Sequence, residues 1–306
     1  MGVYLLKRLG YSLLTLFIII TVTFFLMRSI PGNVFTKDKA LPPNIVENLK
    51  AKYGFDLPLS QQYFKMLGNV VRLDFGMSMQ SEGRKVNDII AEQFPNSAKL
   101  GLFAIFLCLI FGIPLGIISA LKNGKWQDNT SMIIATLGVT IPSFVVATLG
   151  QYIFSVKLKI LPVMGFKTLA HAIMPGIALS FFPLAFIARL VRSSMLETLQ
   201  QDYIRTAKAK GLSQSMVILK HALKNSIIPV VTYLGPLAAA ILTGSFVVER
   251  IFNIPGLGRY YVTSISNRDY TTIMGVTIFY AAFVILMNFL VDVVYVIIDP
   301  RIKLRK

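Results

Sequence analysis

From Leu9 to Met27 nineteen residues pass without a charge, and long apolar runs recur five more times before the chain ends. A helix rises about 1.5 Å per residue, so about 20 apolar residues cross the hydrocarbon of a bilayer. The further runs are Ala98–Leu121, Met132–Val156, Ala172–Ala188 within a span reaching residue 190, Val230–Val248 and Ile273–Ile298. A removable leader is the competing reading of the first run, but its apolar core would be about 7 to 15 residues with a small-residue cleavage site after it. These lengths predict an all-α polytopic membrane protein with six transmembrane helices.

Composition agrees with that prediction. With 55% hydrophobic and 15% charged residues, the chain has too little polar surface for a water-soluble globule of 306 residues. The net charge of +17 would suit a nucleic-acid partner only on a basic face of a soluble module, and none is evident. Membrane topology accounts for it better. The single Cys108 excludes an intrachain disulfide, and His171 and His221 lack the spacing of a metal site.

The polar segments carry the rest of the architecture. Residues 28–96 hold nine Lys or Arg and seven Asp or Glu, too many residues for a simple connection, and are expected to fold as a partly helical insertion outside the membrane. Leu59, Tyr63, Met66, Leu67 and Val70 share a helical face after Pro58, and Val86, Ile89, Ile90 and Phe94 share another that should end at Pro95. Pro114 and Pro142 fall within spans two and three, and Pro175 and Pro183 are expected to bend span four. Six spans place both termini on one side. That side carries fifteen Lys or Arg against six in the two short loops opposite, so the positive-inside rule assigns the termini to the cytoplasm and the insertion to the far side.

One long polar stretch, 191–229, then faces the cytoplasm, and its segment Asp202 to Pro229 reads as helix, glycine turn, helix. Tyr203, Ala207 and Lys210 follow a helical step, Gly211 suits the left-handed geometry that ends a helix, and Ser213 can cap the next. Met216, Leu219 and Leu223 share one face of that second helix. An amphipathic helix that does not bury its face in its own domain needs a partner groove, so the stretch is a candidate docking element; a pair of solvated surface helices is the plainer alternative.

Chemistry within the chain is sparse. The cluster Pro255-Gly256-Leu257-Gly258 lacks the lysine and spacing of a phosphate-binding loop and reads as a tight turn. No HExxH, paired intramembrane aspartates or G-x-S-x-G points to a hydrolase. Lys99 and Arg189 lie at span ends and can snorkel, leaving Asp292 as the one ionisable group well inside a span. A carrier driven by an ion gradient would be expected to carry more such groups.

The stretch Asp202–Pro229 resembles the cytoplasmic coupling loop of permease subunits of binding-protein-dependent ABC importers. In their pattern, Glu-Ala-Ala, three residues, Gly, nine residues, Ile-x-Leu-Pro, this chain places Arg205-Thr206-Ala207, Gly211 and His221-Ala222-Leu223-Lys224. Ala207, Gly211 and Leu223 match. The run Asp202–Ser213 is similar to the oligopeptide, dipeptide and nickel branch, as are Pro31-Gly32, Asp74-Phe75-Gly76, Pro255-Gly256-Leu257-Gly258 and Asp299-Pro300-Arg301. The likeness is closest to the B-type membrane subunit of oligopeptide importers.

The resemblance implies a type I ABC importer permease fold and a transport subunit that is not itself an enzyme. Its partners would be a second, related permease, two cytoplasmic P-loop ATPases that hold the ATP and Mg, and an extracytoplasmic peptide-binding protein. No cofactor, metal or nucleic acid is expected on this chain. Among the coupling residues, which begin at Asp202, Ala207 and Gly211 would serve close packing and the turn. Tyr203 and Leu223 would make apolar contact with the ATPase groove, with Arg205 and Lys208 at its rim. Import of dipeptides, glutathione or metal chelates is the neighbouring alternative, and a gradient-driven carrier or a membrane scaffold without transport is the alternative from another class.

Overall fold

A computed structural model describes residues 2–29, 42–81 and 83–298, and the landmarks Pro31-Gly32 and Asp299-Pro300-Arg301 lie outside the described residues, as does the side chain of Asp292. The described elements are helices, apart from an isolated antiparallel bridge between Met77 and Lys85. They are α1 Gly2–Ser29, α2 Pro43–Tyr53, α3 Leu59–Val71, α4 Val86–Leu121, α5 Trp126–Thr140, α6 Ser143–Gly150 and α7 Leu169–Leu199. After these come α8 Asp202–Ala209, α9 Gln214–Met216, α10 Leu223–Ser226, α11 Ile228–Leu242, α12 Phe246–Ile251, α13 Leu257–Ser266 and α14 Tyr270–Ile298. Two wide π turns intervene, Gln151–Lys157 after α6 and Val217–Ala222 between α9 and α10.

Among the described residues, five helical segments are long and apolar enough to cross a bilayer, and the expected third span is a sixth only if a broken pair is counted as one. That pair, Trp126–Thr140 and Ser143–Lys157, bends by 100°. Pro142 causes the break, because a proline has no N–H to donate and holds the preceding Ile141 extended, at φ −84° and ψ 120°. Other prolines do not act this way. Pro95 was expected to end a short helix, yet α4 runs through it from Val86 to Leu121. The missing hydrogen bond is carried by burial on either side, of Val86, Ile89 and Ile90 before it and of Leu100, Ala104 and Cys108 after it. Pro175 and Pro183 likewise sit inside an unbroken α7, which continues nine residues past the expected end of its span.

The chain divides into two compact units, Met1–Phe94 with Tyr260–Ile285 and Pro95–Arg259 with Leu286–Lys306. In the first, α3 lies against α1 through Tyr63, whose ring meets Phe24 at 5.3 Å and whose hydroxyl is 2.7 Å from Thr21 Oγ1. The Asp74-Phe75-Gly76 landmark is a tight turn. Asp74 Oδ1 accepts from Gly76 N at 2.9 Å, and Asn87 both accepts from Phe75 N and donates to Leu73 O. A buried carboxylate holds this turn to the start of α14: Asp269 accepts from Ser78 Oγ at 2.5 Å, Met79 N at 3.1 Å and Thr272 Oγ1 at 2.8 Å.

Two apolar clusters of described residues lie in the second unit. One gathers Leu100, Ala147, Met174, Ala178, Val248 and Phe252. The other joins Cys108, Ile187, Val191 and Met195 to Ile204 and Ala207 of α8 and to Val217, Ala222 and Val230 beyond it. The polar stretch after α7 is therefore rooted in the apolar core. The cluster Pro255-Gly256-Leu257-Gly258, expected to be a tight turn, is instead the entry to a helix: Pro255 and Gly256 lead directly into α13, which begins at Leu257, and the segment wraps around the fully buried Glu249.

Candidate coupling site

The candidate element begins where α7 ends. Gln200 and Gln201 are the only residues between α7 and α8, so the two helices are joined with almost no slack. The last turns of α7 are clamped sideways by an ion pair. Arg192 Nε and Nη2 donate to Asp128 Oδ1 and Oδ2 at 2.7 and 2.8 Å, and Nη2 also donates to Asn123 Oδ1 at 3.0 Å. Ser119 Oγ and Gly124 N complete the ring of donors around Asp128, which is 3% exposed. This fork-to-fork geometry suits arginine and not lysine. One turn earlier Arg189 Nη2 donates to Thr136 Oγ1 at 2.7 Å. Sequence reading counted both arginines as topological charges and passed over Asp128, because the partners are 64 residues apart and nothing local marks them.

Within α8 the side chains divide by face. Ile204 and Ala207, three residues apart, are buried against Val217 and Ala222, while Asp202, Tyr203, Arg205 and Lys208 are exposed. Asp202 stands in the first turn, where a carboxylate favours the positive end of the helix dipole, and lies 3.6 Å from Arg205. Both partners are largely in solvent, so that pair adds little. The Tyr203 hydroxyl accepts from Asn225 Nδ2 at 2.7 Å and ties α8 to α10. Ala207 packs within its own chain, so it sets the spacing between helices and is not itself a contact surface. Ile204 was missed, although it is the single aliphatic side chain in α8 larger than alanine.

Gly211 takes φ +78° in the turn, and Ser213 caps the next helix by accepting from Met216 N at 3.4 Å, both as the sequence predicts. A Cβ on Gly211 would meet nothing within 4 Å, so the demand for glycine is purely one of backbone conformation. Gly211→Val is expected to strain this turn by about 1–3 kcal/mol without a steric clash. Trypsin should then cut faster at Lys208 and Lys210 in detergent-solubilised protein, whereas Gly211→Asn, which tolerates this region, should stay close to wild type. Equal cleavage of the valine variant and the wild type would show that the turn does not depend on glycine.

Beyond the turn the predicted apolar face is present and points away from the core. Met216 is 45% exposed and Leu219 is 65% exposed, with Leu212 continuing the stripe, while Leu223 is half-buried. Val217 and Ala222, on the opposite side of the same segment, are buried. The result is a short helical hairpin anchored by one face and exposing apolar side chains on the other, with Arg205, Lys208 and Lys210 also exposed on the same hairpin. Such an arrangement can receive a partner's groove and pass its movement into α7.

The chain is 47% identical over 306 residues to the dipeptide transport system permease protein DppB of Bacillus subtilis (strain 168), covering 100% of this chain and 99% of that protein. It is 46% identical over 303 residues to the oligopeptide transport system permease protein OppB of Escherichia coli (strain K12), covering 98% and 99%. In three dimensions it is similar to a chain of the MetNI methionine ABC transporter solved in inward-facing conformations, with a TM-score of 0.60 at 18% identity over 72% of this chain and 100% of that one. At that identity the likeness establishes the fold, that of a type I ABC importer permease. The profile of the binding-protein-dependent transport system membrane component N-terminal region matches residues 1–101. That of the inner membrane component itself matches residues 112–304, and the chain therefore belongs to the family of binding-protein-dependent transport system inner membrane components.

Proposed function

We propose that this chain forms half of the translocation pathway of an ATP-driven peptide importer and that the hairpin Asp202–Ser226 is the part its motor grips. The observation that carries the reading is the exposed Leu212–Met216–Leu219 stripe on an element whose other face is locked into the core behind α7. Hydrolysis of ATP then belongs to two separate P-loop subunits with their own Mg. A second, related permease completes the pathway, and an extracytoplasmic binding protein delivers the peptide. Both termini and the hairpin face the cytoplasm in this arrangement, in keeping with the excess of cations on that side. Closure of the ATPases around ATP moves the hairpin, α7 follows, and the spans turn from inward-open to outward-open.

Oligopeptides are the proposed cargo, since relatives covering nearly the whole chain are named for oligopeptide and dipeptide transport. Dipeptides, glutathione and metal chelates share enough chemistry to be tested beside them. Extraction in mild detergent should recover a related permease and two ATPases in near-stoichiometric yield. The reconstituted complex in liposomes should take up tri- to pentapeptides only with the binding protein and ATP. Uptake that survives removal of the ATPases and follows an ion gradient would overturn the proposal. The docking face has its own test. Leu219→Asp leaves the buried anchor residues untouched and is expected to lower recovery of the ATPases by a factor on the order of 30, as for a central contact residue. Unchanged recovery at raised salt would place the docking surface elsewhere.

A further inference from the structure

A cavity of about 350 Å³ in the first unit is lined by α1, α2, α3, the Asp74-Phe75-Gly76 turn and the start of α14. We infer that it seats the headgroup of an anionic phospholipid, with Arg28 and Tyr270 holding the phosphate and Gln62 accepting from a headgroup hydroxyl. Position supports this first. Arg28 closes the charge-free run of α1 and Tyr270 opens α14, so both mark where hydrocarbon meets water, and the cavity lies at headgroup depth.

Charge and unsatisfied polar groups then select the ligand. Among the described residues, Arg28, Lys52 and Lys65 line the cavity with one carboxylate, that of Asp74, which is already bonded to Gly76 N. The guanidinium of Arg28 lies 3.9 Å from the Phe55 ring centre and 5.5 Å from that of Phe24, so ring faces fix its plane while its in-plane N–H groups remain suited to a phosphate. Tyr270 is 6% exposed, and its buried hydroxyl has no hydrogen-bond partner among the described residues. Gln62 donates its amide to Leu57 O at 2.7 Å, while its buried carbonyl oxygen has no donor among the described residues. Buried polar groups are seldom left so, and an orphan donor beside an arginine, with an orphan acceptor in the same cavity, fits a phosphodiester that carries a hydroxyl. Phosphoglycerol has both features and a net negative charge. Phosphocholine has neither the hydroxyl nor the net charge.

The test uses the full chain, purified with its partners and stripped of lipid in detergent, then exposed to micelles doped with dioleoyl phosphatidylglycerol or dioleoyl phosphatidylcholine. The glycerol lipid should raise the unfolding temperature and remain bound in native mass spectrometry, and the choline lipid should do neither. Arg28→Gln should weaken phosphatidylglycerol binding about tenfold. Tyr270→Phe should raise the unfolding temperature of the lipid-free protein, because its orphan hydroxyl is gone, while weakening the lipid about fivefold. A merely structural tyrosine would not move these two readings in opposite directions. Equal retention of the two lipids, or wild-type binding by Arg28→Gln, would overturn the inference. So would full reproduction of the stabilisation by millimolar inorganic phosphate or by trialanine, which would assign the cavity to a free anion or to a peptide. None of these readings depends on transport, so failure of the lipid site and failure of the importer proposal are separable.

Discussion

Glu249→Ala is expected to lower stability by about 3–5 kcal/mol and to remove most of the folded protein from the membrane fraction. Glu249 is fully buried, and its carboxylate accepts from Ser97 Oγ at 2.7 Å and from Arg259 N at 2.9 Å, with Gly258 N also in range. Ser97 Oγ in turn accepts from Leu257 N at 2.9 Å, and Asn96 Nδ2 donates to Pro255 O at 2.8 Å. One side chain thus gathers the start of the second span, α12 and the Pro255–Gly258 segment that opens α13. Truncation leaves a cavity and several backbone and hydroxyl donors unpaired at once. Glu249→Gln restores the volume but presents an N–H₂ where backbone N–H groups already point, so it should recover only part of the loss. Gly256 is constrained by the same group, since a Cβ there would run into the carboxylate. Thermal unfolding in detergent, read by the loss of the monodisperse elution peak, measures both variants. Wild-type midpoints for Glu249→Ala would mean that the turn is held by something else.

Asp128→Ala is expected to cost about 3 kcal/mol and, at a temperature where the variant is still folded, to lower uptake per ATP hydrolysed by a factor on the order of ten. The stability figure lies at the low end for a broken buried pair because Arg192 keeps 26% of its side chain exposed. Its functional effect follows from the direct passage from α7 into α8. On the proposed coupling role, a force on the hairpin would reach the end of α7, and the Arg192–Asp128 fork would pass it to the α4–α5 turn. Without the fork the end of α7 yields alone. ATP hydrolysis by the reconstituted complex should persist while peptide uptake falls, a separation that simple misfolding would not produce. Arg192→Lys keeps the charge but loses the fork and should fall between. The double replacement Asp128→Leu with Arg192→Leu should recover stability, since an apolar pair can replace a buried ion pair in packing, without recovering coupling if the directional fork is what holds α7 to the α4–α5 turn. Full coupling in the double variant would remove the clamp from the mechanism.

Local chemistry was legible in the sequence to a fair depth. The α3 helix after Pro58, the left-handed Gly211, the Ser213 cap and the division of Met216 from its buried neighbours follow from rules that act within a few residues. Proline was the weak guide. Pro142 breaks a span by 100°, yet Pro95, Pro175 and Pro183 lie inside continuous helices, so the missing hydrogen bond of a proline does not by itself end a helix. Coupling residues chosen by pattern divided in the same way. Ala207 proved to be an anchor within its own chain, whereas the exposed apolar surface comes from Leu212, Met216 and Leu219.

By itself, the sequence determined that this chain crosses a membrane repeatedly, where its apolar runs lie, where the hairpin turns and which family the landmarks point to. Those properties are set by side-chain hydrophobicity and backbone preference, which are written residue by residue. Only the tertiary structure decided that Arg192 meets Asp128 across 64 positions, that Glu249 meets Ser97 across 152, and that Arg28, Gln62 and Tyr270 line one cavity. Each buried polar group must find its partner wherever the folded backbone brings one within about 3 Å, and no local periodicity specifies that meeting.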